Sequence, residues 1–114
     1  MKKTIYLAGF LFLLVTCRKE QATSENNPGN LNTISMRGSV FSPSGLQVNI
    51  NSTVTWINDD NMVHTVTSDN GTFNSGDIAP GGRFSYSFSN TGTFQYHCTH
   101  HSGMTGSITV AGIR

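Results

Sequence analysis

Between positions 96 and 106 the chain reads Tyr96-His97-Cys98-Thr99-His100-His101-Ser102-Gly103-Met104-Thr105-Gly106. A thiol, neighbouring imidazoles and a thioether therefore fall within the seven residues from Cys98 to Met104. One thiolate and two imidazoles in a trigonal set, with a weak axial thioether, select copper: soft sulfur favours Cu(I), imidazole suits both oxidation states, and the compromise geometry serves either. The loop supplies Cys98, a histidine and Met104, so a second imidazole must come from elsewhere. His64, in Met62-Val63-His64-Thr65-Val66, is the only histidine outside this segment. A sheet contact between its neighbourhood and that of Cys98 would complete the set. Taken singly, each residue has a plainer role, since a free cysteine commonly packs as a small hydrophobe, a methionine fills a core and a loop histidine is solvated.

The elements that must position these residues are strands. Apolar and polar residues alternate with period two in Leu46, Val48 and Ile50, in Val54 and Trp56, and in Phe84, Tyr86 and Phe88. Phe94, Tyr96 and Cys98 share one face of a further strand and Gln95 and His97 the other, so Cys98 points inward and His97 away. Ile108 and Val110 alternate with Ser107 and Thr109. Turn residues divide these runs: Pro43-Ser44-Gly45, Asn58-Asp59-Asp60-Asn61, Asp69-Asn70-Gly71, Pro80-Gly81-Gly82 and Asn90-Thr91-Gly92. The spacing predicts an antiparallel all-β sandwich of seven to eight short strands. Met36, Trp56 and Met62 read as packing residues.

Composition narrows the function. From Leu31 onward, Arg37, Arg83 and Arg114 stand against Asp59, Asp60, Asp69 and Asp77, so the domain is nearly neutral. No lysine follows Lys19, and there is no basic stripe of the kind that phosphate neutralisation requires, so nucleic acid is not an expected partner. No carboxylate, lysine or serine sits in an acid, base or nucleophile pattern, and the chain does not read as an enzyme. Cys17 and Cys98 lie in contexts too different to suggest a disulfide.

Lys2 and Lys3 precede an apolar run from Ile5 to Val15, which has the layout of a signal peptide and is short for a membrane span. The run ends in Leu14-Val15-Thr16-Cys17, which resembles the lipobox of bacterial lipoproteins, with Thr16 in place of the usual smaller residue. The resemblance implies cleavage after residue 16, lipidation of Cys17 and a place in the cell envelope, on the periplasmic or surface side of a membrane. Residues 17–32 then read as a polar, aperiodic linker with a reach of about 20 Å. Residues 33–114 form the domain.

Several segments in order resemble the cupredoxins, most closely the short plastocyanin-like and amicyanin-like branch. They are Val54-Thr55-Trp56-Ile57-Asn58, His64-Thr65-Val66, Phe73-Asn74-Ser75-Gly76, Phe84-Ser85-Tyr86-Ser87-Phe88, and Gly92-Thr93-Phe94-Gln95-Tyr96-His97-Cys98 with the loop to Met104. The resemblance implies a Greek-key β-sandwich holding one copper ion on His64, Cys98, His101 and Met104. It implies electron exchange with redox protein partners by a monomer, the lipid at Cys17 providing the membrane attachment. Two features depart from the family: Thr65 stands where many relatives have asparagine, and the loop lacks the prolines often found near the ligand histidine. A backbone amide at Thr65 would still reach the Cys98 sulfur. Of the adjacent imidazoles, His101 is the expected ligand. Two intervening residues give the chain room to turn back toward the metal after Cys98, and the same spacing recurs from His101 to Met104. His100 is then left near solvent. A copper carrier or store, and a metal-free partner-binding sandwich, are the alternative readings.

Overall fold

Eight strands and no helix form among residues 32–112, the part of the chain that this computed structural model describes. They are β1 (Thr33–Arg37), β2 (Val40–Ser42), β3 (Gly45–Asn49), β4 (Thr53–Asn58), β5 (Thr67–Ser68), β6 (Arg83–Ser87), β7 (Gly92–His97) and β8 (Thr105–Ala111). The expected leader, the lipidation site Cys17 and the linker up to Leu31 lie outside the described residues.

Two four-stranded sheets face each other, ordered β2-β1-β4-β6 and β3-β8-β7-β5. The antiparallel expectation holds for most neighbours but fails for two: β1 runs parallel to β4, and β3 parallel to β8. The reason lies in the crossings. After the β1–β2 hairpin the chain leaves the first sheet, contributes β3 to the second, and returns as β4 beside β1. Neighbours joined by such an excursion, rather than by a tight turn, are free to run in the same direction.

The period-two patterns point where they should. Ile34, Met36, Phe41, Val54 and Trp56 from the first sheet meet Val48, Tyr96, Ile108 and Val110 from the second, all buried. Phe73, on the loop after β5, lies 5.0 Å from Tyr86 and 5.6 Å from Phe88 between ring centroids. Each such side chain contributes about 1.5 to 3 kcal/mol by leaving water. The outward positions carry hydroxyls that pair across strands, with Thr53 and Ser87 2.7 Å apart and Thr55 and Ser85 2.8 Å apart.

Two local features shape the site end. The β1–β2 turn consists of Gly38 (φ 64°) and Ser39 (φ 59°), the left-handed pair that a two-residue hairpin needs to follow strand twist. Tyr96 lies opposite Gly106 in the β7–β8 ladder, and its ring occupies the space that a side chain at Gly106 would fill. The Tyr96 hydroxyl and the Trp56 indole nitrogen are both buried without a hydrogen-bond partner. Burial pushes the Tyr96 phenol up to about 12. Met62 departs from its expected packing role and is 41% exposed. It lies in the loop before His64, beyond the strand periodicity that buries Trp56.

Candidate metal centre

Cys98 is the inward residue just past the end of β7, where the parity of Phe94 and Tyr96 carries it. The backbone then turns at once. Cys98 N donates to Met104 O at 3.0 Å and Met104 N donates to His101 O at 3.2 Å, which closes residues 98–104 into a loop on its own stem.

His64 sits three residues before β5, in an isolated bridge with Ile78 made by His64 N to Ile78 O (3.2 Å) and Ile78 N to His64 O (2.7 Å), and the expected sheet contact brings it to Cys98. The short β5–β7 ladder, with Thr67 opposite His97, then brings the two segments into register. Thr65 locks it. Its amide donates to Cys98 Sγ at 3.4 Å, and its hydroxyl accepts the Thr99 amide at 2.9 Å. Threonine thus ties the two segments together.

As a result Cys98 Sγ faces His64 Nδ1 at 3.7 Å and His101 Nδ1 at 3.5 Å. One donor atom from each of the three residues lies within 4.8 Å of the others. Metal bonds to nitrogen and thiolate of about 2.0 to 2.3 Å, spread at trigonal angles, separate their donors by about 3.5 to 3.8 Å; both sulfur–nitrogen distances match this and the third separation stays within 4.8 Å, so the cluster could hold a single ion. His64 and Cys98 are buried, and His101 is partly exposed. Met104, the expected axial residue, is buried at the end of the same loop.

The remaining histidines stand apart. His100 projects outward, with Nε2 2.8 Å from Asp77 Oδ1, and His97 lies on the outer face of β7 with Nδ1 2.6 Å from Asp69 Oδ1. Both imidazole–carboxylate pairs are exposed.

Two supporting residues were given no site role from sequence. Buried Asn58 donates from Nδ2 to Met62 O (2.8 Å) and to Ile78 O (2.9 Å), fixing the loop that leads to His64. Its Oδ1 accepts the Asp60 amide at 2.9 Å. Asp60 places Oδ2 2.9 Å from His64 Nε2 and accepts the Ser39 amide on the same oxygen at 3.0 Å. The bond from His64, more than the amide of Ser39, holds the Asp60 carboxyl down to about 2. In the sequence, the Asn58-Asp59-Asp60-Asn61 run signals only a turn; its spacing of four residues from Asp60 to His64 was the available clue.

The cupredoxin-like domain model matches residues 5–110 of the chain. Plastocyanin from Scenedesmus fuscus is 34% identical over 84 residues, covering 62% of this chain and 86% of that protein. Amicyanin from Paracoccus denitrificans is 38% identical over 72 residues, covering 57% of this chain and 53% of that one. Among solved structures, a purple cupredoxin from Nitrosopumilus maritimus superposes with a TM-score of 0.65 at 32% identity, over 69% of this chain and 98% of its own. An amicyanin variant in a reduced Cu(I) form gives 0.65 at 29% identity, over 68% of this chain and 79% of its own.

Proposed function

The chain belongs to the cupredoxin-like domain family, and from that premise we propose that it is a one-electron carrier in which His64, Cys98, His101 and Met104 would hold one copper ion. The observation that carries this reading is the convergence of one thiol and two imidazole nitrogens within 4.8 Å. Copper bound there would supply a Cu(II)/Cu(I) couple. The chain's own residues would do the rest. The Thr65 amide directs a hydrogen bond at the Cys98 sulfur and moderates its charge, and the closed loop of residues 98–104 limits rearrangement between the two states.

His101, partly exposed, is the ligand through which electrons would enter and leave. Met62 and Val63, 41% and 38% exposed, adjoin buried His64 in sequence and offer an apolar surface for docking redox proteins. A nearly neutral domain would rely on such contact more than on charge steering. The lipid at Cys17 would keep this monomeric domain at the membrane, within the linker's reach of its partners.

The test is to add Cu(II) to the domain and cycle it with ascorbate and an oxidant while recording the visible spectrum. One copper per domain, with an intense band that bleaches and returns, is the expected result. Release of copper on each reduction would favour a carrier or store instead. No uptake, together with a freely reactive Cys98 thiol, would favour the metal-free reading.

A further inference from the structure

His64 can offer Nδ1 to a metal only if its ring proton sits on Nε2. In this chain the group that faces Nε2 is a carboxylate: Asp60 Oδ2 at 2.9 Å, with the Asp60 side chain only 12% exposed and the His64 side chain fully buried. The same oxygen accepts the amide of Ser39, whose left-handed backbone (φ 59°) is fixed by the β1–β2 turn. The Asp60 amide is in turn held by Asn58 Oδ1. The carboxylate is thus clamped from two sides and aimed at the ring. A negative group bonded to the distal nitrogen makes an imidazole a stronger donor, and it favours the more highly charged metal state.

We propose that Asp60 is a positioning residue for the metal centre: it fixes the His64 tautomer with Nδ1 free and, through its charge, holds the reduction potential down. The second half of this statement rests on the copper reading above; the first half does not. Asp59 is a built-in control. It is the adjacent carboxylate, but its Oδ2 accepts the Ser35 hydroxyl at 2.6 Å and it makes no bond to His64.

The experiment compares the wild type with Asp60→Asn, Asp60→Ala and Asp59→Asn. In the copper-loaded proteins, Asp60→Asn should keep the visible band while binding Cu(II) about tenfold more weakly, within the range seen for such outer partners. If Cu(I) affinity is unchanged, this tenfold is a rise of about 59 mV in reduction potential for a one-electron couple. Asp59→Asn should move the potential much less. Equal shifts in the two asparagine variants would show that only general charge is felt, and an unshifted Asp60→Asn would overturn the electronic role. In the metal-free proteins, nitrogen NMR of the histidine rings should show His64 protonated on Nε2 in the wild type and a mixture of tautomers in Asp60→Ala. A single Nε2–H tautomer in Asp60→Ala would overturn the positioning role, whether or not the wild type takes up copper. Thermal melts of all four proteins establish that the readings come from folded domains.

Discussion

Replacing Gly106 with alanine should lower the melting temperature of the domain, although alanine in a strand with ordinary backbone angles would normally raise it slightly. A Cβ at Gly106 would lie 2.5 Å from both Cζ and the hydroxyl oxygen of Tyr96 and 2.9 Å from its Cε1. The ring cannot swing clear. It is 1% exposed and packed edge-on against Phe41 at 4.7 Å and Trp56 at 5.5 Å between centroids. Forcing a methyl group into such a core costs about 1 to 3 kcal/mol, against a gain of about 0.4 to 1 kcal/mol from restricting the unfolded chain. Central values of about 2 and about 0.7 kcal/mol leave a net loss of about 1.3 kcal/mol, which for a domain of this size corresponds to a fall of roughly 5 to 10 °C. Differential scanning calorimetry of the domain measures it directly. Gly45→Ala is the matched control, since the nearest atom to its Cβ would be Ser107 Oγ at 3.7 Å, an ordinary contact. Shrinking the ring with Tyr96→Leu should remove most of the Gly106→Ala penalty, a coupling that a double-mutant cycle isolates. A Gly106→Ala domain that melts at or above the wild-type temperature, or a penalty undiminished beside Tyr96→Leu, would refute the steric argument.

Tyr96→Phe removes a buried hydroxyl that has no partner and should stabilise the domain by about 1 kcal/mol. The Tyr96 phenol is raised from 10.0 to about 12, so its contribution is complete below pH 10 and lost between about pH 10 and 12; denaturant titrations should show that alkaline loss reduced in the Phe variant. Met104→Leu should retain copper and colour with a higher reduction potential, read by voltammetry; loss of copper would make Met104 structural to binding. His101→Ala should lose the visible band or recover it with added imidazole, whereas His100→Ala should keep it, judged by copper content and absorption. Cys17→Ser should move the protein out of the membrane fraction, checked by fractionation and blotting.

The strands were legible because one side of each is buried. Phe94, Tyr96, Cys98, Ile108 and Val110 could face only one way once a core exists, and the direction of Cys98 followed from that parity. The spacing from Cys98 to Met104 was equally readable, being local to one loop. His64 was recognisable by type and so was the sheet contact that carries it, but the bridge to Ile78 and the anchoring by Asn58 were not, because they depend on segments brought together only by the fold. Asp60 was hidden for the same reason: a carboxylate in a turn is usually solvated, and the amide of Ser39 that aims it comes from another hairpin. Parallel pairing of β1 with β4 leaves no mark in alternation, which is the same in either direction.

His64 and Cys98 are 34 residues apart in the chain. A metal held by both would tie the ends of that long stretch together, a closure whose entropic cost to the chain grows only slowly with its length. Binding energy would thereby add to folding energy, in proportion to the logarithm of the free metal concentration. Chains that find metal would open less often at the 58–64 and 98–104 segments and escape proteases longer than chains that do not. The same pair of residues would then couple the abundance of the protein to the supply of its metal, with no regulator beyond the fold itself.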